Sequence, residues 1–133
     1  MITEDFANAA LGFLGTRYKH QGRLPGLGLD CAGVVVCAAR AVGVDVEDVT
    51  GYAPRPSGLQ LVAALRAHCA EVHDEPERGD ILVFSWGGDE PQHLAVFVGE
   101  GQIVHAYSAA RKCVQHGMDA AWRERITNIF RIK

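Results

Sequence analysis

Apolar residues recur along this chain with two different periods, helical in the first half and strand-like in the second. Over residues 3–14, Phe6, Ala9, Ala10, Phe13 and Leu14 share one face of a predicted helix. Thr3 can cap it, Glu4 and Asp5 suit its positive end, and Gly15 is a natural stop. Over residues 31–42, Val34, Val35, Ala38, Ala41 and Val42 form a second stripe, ended by Gly43. Its residues are small, so this helix can lie close against a neighbour. A third helix is predicted over residues 58–69, with Leu61, Val62 and Leu65 inward and Ser57 and Gln60 at capping-box spacing. Residues 16–29 and 44–57 carry the Gly and Pro residues expected of loops.

After residue 77 the pattern shortens. Ile81–Phe84, Leu94–Val98, Ile103–Tyr107 and Arg125–Ile132 are apolar runs of strand length, bounded by turn residues. Continuous apolar runs suit strands covered on both faces. Helices followed by an antiparallel sheet predict an α+β fold, in one domain over residues 1–133.

Composition narrows the partners. With 13 Lys+Arg against 16 Asp+Glu and a net charge of -3, the chain has no basic excess for nucleic acid. No apolar run reaches the ~18 residues of a membrane helix, so no membrane insertion is expected. The start, Met1 to Phe6, is acidic where a secretory signal is basic, so the expectation is synthesis in the cytoplasm without a signal peptide. The cysteines, Cys31, Cys37, Cys69 and Cys113, show no metal-knuckle spacing. Cys37, Cys69 and Cys113 read as small buried hydrophobes.

Cys31 differs, because Asp30-Cys31-Ala32-Gly33 follows a Gly-rich loop and opens a helix. Unpaired backbone N–H groups there favour an anion, so a thiolate with a lowered pKa is expected, and the same groups could hold an oxyanion. The competing reading is that Cys31 is only the buried first turn of an apolar helix.

A nucleophilic thiol needs a base, and His93 and His105 are the candidates. Their separation of twelve places both on one face if a three-residue turn, Gly99-Glu100-Gly101, joins their strands. A two-residue turn would put them on opposite faces. In the first case Val98 pairs with Gln102, Ala95 lies opposite His105, and His93 sits one diagonal step away. His105 can then hold His93 in the right tautomer while His93 serves Cys31. Two alternatives stay open: packed core histidines, and a zinc site of Cys31, His93 and His105. Nothing in the local spacing asks for a metal.

These residues stand in a familiar order. Gly15-Thr16-Arg17-Tyr18, Asp30-Cys31-Ala32-Gly33, Arg78-Gly79-Asp80-Ile81, His93-Leu94-Ala95-Val96 and Ile103-Val104-His105-Ala106 together resemble the NlpC-type cell-wall cysteine peptidases, a papain-like family. The Tyr18–Gln21 segment and the tail from Ala121-Trp122-Arg123 to Phe130-Arg131 look closest to its phage-tail and prophage branch. The resemblance implies N-terminal helices on a central antiparallel sheet, Cys31 as nucleophile, His93 as base and His105 as orienting residue. It also implies Tyr18 beside the thiol, positioning substrate or oxyanion, and Asp30 binding a substrate amine. A core-packed Tyr18 and a helix-capping Asp30 are the plainer readings.

The implied reaction is hydrolysis of peptidoglycan stem peptides, commonly between D-glutamate and the diamino acid, without a cofactor. Phage tail-tip proteins are the implied partners, with action at the cell wall or periplasm in a tail-like particle. Ala32 stands where the family has serine, which alters the presumed amine site, and Arg17 where proline is common. Asp80 reads as a turn residue. His20, His68, His73 and His116 show no partner in the sequence, and most of them are expected to be solvated. The rival functions are a non-catalytic tail or wall-binding module and an acyltransferase or transglutaminase-like enzyme with the same triad.

Overall fold

The first helix, α1 (Ile2–Leu11), buries Phe6, Ala7 and Ala10, and it starts and ends earlier than its periodicity suggests. Thr3 therefore lies inside it rather than at its cap. Beyond Leu11 the N–H groups of Phe13 and Leu14 reach back only three residues, to Ala10 and Leu11, so the chain tightens into turns that end at Gly15, with φ at 87°. Phe13 still packs on the core, but Leu14 is left exposed. The structure, a computed structural model, describes residues 1–46, 59–86 and 93–133.

Residues 16–29 hold more order than their Gly and Pro content suggests. They contain a short ribbon of β1 (Arg23–Leu24) and β2 (Gly28–Leu29). Tyr18 bridges to Leu29 and Arg17 to Lys112, which stitches this segment to the body. Next comes α2 (Cys31–Ala41), buried at every residue from Cys31 to Ala39. Only small side chains permit burial on all sides between a helix and a sheet. Gly33 is part of that fit, because a Cβ there would collide with the Gly22 carbonyl of the ribbon segment.

The third helix, α3 (Leu59–His68), buries Leu65 and packs Val62 on the core. Ser57 and the side chains of Gln60 and Leu61, read as its cap and inner face, lie outside the described residues. It runs directly into β3 (Cys69–Val72), a strand its composition does not announce. The four predicted strands are present as β4 (Asp80–Phe84), β5 (His93–Gly99), β6 (Gln102–Tyr107) and β8 (Ile126–Ile132). Between β6 and β8 the chain adds β7 (Lys112–Gly117) and a short helix, α4 (Ala120–Arg123), capped by the Asp119 carboxylate.

The sheet runs β3-β8-β4-β5-β6-β7, antiparallel throughout. The N-terminal helices pack on the face that carries Ile81, Val83, Val96 and Val104. The other face carries Leu82, Phe84, Ala95 and Ile103, roofed by Trp86, Trp122 and Met118. Both faces are covered, as the apolar runs required. Among the described residues no helix is long and apolar enough to cross a membrane.

The β5–β6 turn differs from expectation. Gly99 pairs with Gln102, so the turn holds two residues, Glu100 and Gly101, both at positive φ. A register shift between Phe97 and Gly99 then supplies the extra residue, and Phe97 pairs with Ile103 and Val96 with Val104. The bulge restores the parity that a two-residue turn would have broken. Asp80 does form the expected turn, with its carboxylate accepting the Glu77 N–H at 2.8 Å. It also takes a two-pronged grip from Arg131.

Candidate active site

Asp30 begins the site. Its carboxylate accepts the Gly33 N–H at 2.8 Å and so caps α2. It also accepts the Gln21 N–H at 2.8 Å and Arg23 Nη1 at 2.9 Å. Arg23 in turn reaches the Gly22 carbonyl, so one buried carboxylate ties the ribbon segment to the helix mouth.

Cys31 opens the helix and is 9 % exposed. By helix geometry the N–H groups of Cys31 and Ala32 have no acceptor within the helix. The backbone of Leu94 and of Ala32 reaches the thiol and favours its anion, as does the nearby Arg23. Burial and the Asp30 charge outweigh them and push the thiol up to about 12. The expected lowering of its pKa is therefore reversed: the helix end acts in the predicted direction, but desolvation is larger. Contact with the Leu94 backbone sets the sulfur against the start of β5, where His93 is the adjacent residue.

Tyr18 is half-buried against the core and close enough for the charges of Cys31 and Asp30 to act on it. Burial, then those charges, raise its phenol to about 12, so it stays a hydrogen-bond donor at neutral pH. Ala32 is buried at 3 % exposure, and its contribution is backbone.

The histidines run diagonally across three strands. His93 Nε2 lies 2.6 Å from His105 Nδ1. His105 Nε2 lies 2.8 Å from His116 Nε2, and His116 Nδ1 lies 2.9 Å from the Gly117 carbonyl. His105 is fully buried. It stacks on Tyr107 at 5.0 Å and meets the edge of Trp122 at 5.3 Å. Burial holds the pKa values of His93 and His105 well below the ordinary imidazole value, and the neighbouring rings lower both further. Asp30 pulls His93 the other way without overcoming burial. At rest the Cys31 thiol and the His93 and His105 rings are therefore all uncharged. Both ring nitrogens of His105 are engaged by other imidazoles, which suits an orienting ring rather than a zinc ligand.

His116 departs from the expectation of a solvated side chain. It sits on β7, and that strand is the one its sequence hides. His105 pairs with Val114, so His116 is a diagonal neighbour of His105 on the same face. A Lys-Cys-Val-Gln-His-Gly run read as an alternating edge strand would have shown this.

Comparison with known proteins agrees with this geometry. The model of the NlpC/P60 family matches residues 15–131. Peptidoglycan endopeptidase RipB of Mycobacterium tuberculosis is 35% identical over 86 residues, covering 65% of this chain and 30% of that protein. The chain thus spans about a third of that relative's length. The RipB structure superposes with a TM-score of 0.72 at 24% identity, covering 99% of this chain and 65% of the other. NlpC1 from Trichomonas vaginalis gives a TM-score of 0.76 at 21% identity, over 98% of this chain and 44% of that one. The P60 domain of an antigen from M. avium subspecies paratuberculosis gives 0.70 at 19% identity, over 98% and 93%. These relatives carry the names of NlpC/P60 proteins and cell-wall hydrolases, and give no support to the expected phage-tail branch. With the helices, the sheet and the family pattern in register, the chain belongs to the NlpC/P60 family, with its papain-like α+β fold.

Proposed function

We propose that this chain is a cysteine endopeptidase that hydrolyses amide bonds in peptidoglycan stem peptides, with the bond between D-glutamate and the diamino acid as its target. One observation carries the reading: the Cys31 thiol, at the mouth of α2, meets the backbone of Leu94 on β5, the residue next to His93, and the His93 ring lies 2.6 Å from that of the buried His105. The similarity to RipB, a peptidoglycan endopeptidase, supports the substrate class.

In this reaction His93 takes the thiol proton as the sulfur attacks the amide carbon, so the ion pair forms only during attack. The N–H groups at the start of α2 and the Tyr18 hydroxyl donate to the developing oxyanion. The carbon–nitrogen bond then breaks, and His93 passes its proton to the leaving amine. Water, deprotonated by His93, attacks the thioester, and the proton returns to the departing sulfur. Tyr18 and Ala32 form the near wall for the peptide. Asp30, committed to Gly33, Gln21 and Arg23, acts on a substrate amine through its charge. Action at the wall or in the periplasm follows from such a substrate. A tail-like particle with tail-tip partners draws nothing from the relatives named above.

The test is incubation with purified peptidoglycan and mass spectrometry of the products. New amino and carboxyl ends are expected, and Cys31→Ala should reduce cleavage to background while keeping the fold. Turnover by a folded Cys31→Ala would overturn the mechanism. Joined fragments would indicate acyl transfer, and an inert wild-type chain a binding module.

A further inference from the structure

His116 stands outside the nucleophile, base and orienter, yet its ring continues the same line of contacts. The line ends on a backbone carbonyl, and a carbonyl oxygen can only accept. That one-way end gives the chain of rings a direction. His116 Nδ1 must donate to the Gly117 carbonyl at 2.9 Å. In a neutral ring its Nε2 is then an acceptor. His105 Nε2, at 2.8 Å, must supply the proton to it. His105 Nδ1 becomes an acceptor in turn, and His93 Nε2, at 2.6 Å, must donate to it. A neutral His93 with its proton on Nε2 keeps the Nδ1 lone pair as its basic site.

We propose that His116 is a positioning residue that sets the tautomers of His105 and His93, so that His93 presents Nδ1 as the base toward Cys31. The polarity comes from the Gly117 carbonyl and passes through two imidazoles before it reaches the base. Without an acceptor at residue 116, His105 Nε2–H loses the partner that favours its tautomer. His105 can then carry its proton on Nδ1 instead and force His93 into the form that cannot take a proton there.

The surroundings fit this role. Among the described residues, the titratable groups acting on His105 are His93 and His116, and those acting on His93 are Asp30 and His116. Among the described residues no carboxylate acts on His105, and its two ring nitrogens meet imidazoles. Trp122 covers the joint between His105 and His116, at 5.3 Å and 5.2 Å from their ring centres. His116 itself is half-buried, held by β7 opposite Ile103.

The inference rests on the proposed cysteine chemistry for its catalytic meaning, but its physical content can be tested without turnover. Proton–nitrogen correlation spectra of the histidine rings in the full chain report each tautomer. His93 and His105 should carry their protons on Nε2 and His116 on Nδ1. His105 protonated on Nδ1 in the wild-type chain would overturn the proposal, whatever the activity.

Turnover supplies a second arm. His116→Leu keeps bulk and removes the acceptor, and it should lower kcat by roughly tenfold or more with KM unchanged, part of the ~10²–10⁴ that a correctly protonated base contributes. His116→Gln keeps an acceptor and should restore kcat to within a few-fold of wild type. In His116→Leu, His105 should lose its single tautomer. A folded His116→Leu with wild-type kcat and an unchanged His105 tautomer would refute the role. If His116→Leu fails to fold, the wild-type spectra decide. An inactive wild-type chain with the expected tautomers would sink the functional reading and leave this one standing.

Discussion

Two side chains deep in the sheet, Asp80 and His105, are fully buried, and they are satisfied in opposite ways. Asp80 is closed by charge: Arg131 donates from Nε at 2.8 Å and Nη2 at 2.9 Å, and the Glu77 N–H fills the turn. Glu77 adds a second carboxylate to Arg131. The cluster joins β4 to β8. His105 is closed by imidazole rings, and a neutral imidazole can exchange the positions of donor and acceptor. That line ends at His93, the residue before Leu94, whose backbone meets the thiol. A buried carboxylate met by a cation makes a fastening, whereas a buried imidazole met by imidazoles makes a group whose proton has somewhere to go.

Acid should separate the two regions most strongly. In the fold His93 protonates only at about 4, against 6.5 for a free imidazole. The unfolded chain therefore takes up protons below 6.5 that the fold refuses, and stability is lost as pH falls from 6.5 toward about 4. The base must be neutral to act, so the acid limb of kcat/KM should lie well below 6.5. An acid limb at the ordinary imidazole value would show that burial does not govern the site. Unfolding of Cys31→Ala in urea across this range reads the stability part alone.

Asp80→Ala should come next, with a loss of roughly 1–3 kcal/mol, because it removes both bonds to Arg131 and leaves the Glu77 N–H of the turn without its acceptor. Urea unfolding measures it, and kcat of the folded fraction should not move. A fall in kcat without a fall in stability would mean that the fastening and the site are coupled.

Asp30→Asn is the mildest change and lies between the two cases, since Asp30 both caps α2 and charges the site. Asn can still cap α2 through its side-chain oxygen, but the charge facing Arg23 at 2.9 Å is lost, so stability should drop by about 1 kcal/mol. The thiol should become easier to ionise, because the Asp30 charge now opposes the thiolate. Alkylation rate against pH reads this directly, and an unmoved profile would show that burial alone raises the Cys31 pKa.

The site residues were legible where they sit in local patterns. Asp30-Cys31-Ala32-Gly33 after a Gly-rich loop marks a helix mouth, and the chain forms one there. The spacing of His93 and His105 placed them on one face, and they share it, although the turn between them is shorter and a bulge makes up the count. The missed strands of the six-stranded sheet were β3 and β7, its two edges. An edge strand meets water along one side and has no need of a continuous apolar run. With β7 unseen, His116 looked like a lone surface histidine. The sign of the Cys31 shift was missed for a related reason: a helix terminus is written in the sequence, whereas desolvation is not.

Local order is what the residues alone determined: which segments coil, which extend, and which cysteine opens a helix. These follow from side-chain period and from caps a few residues away, whose energies are settled within one segment. Which strand lies beside which, how dry the sulfur is, and which imidazole follows which were decided only in three dimensions. Those properties depend on neighbours ten to a hundred residues distant along the chain, and on water excluded by all of them together.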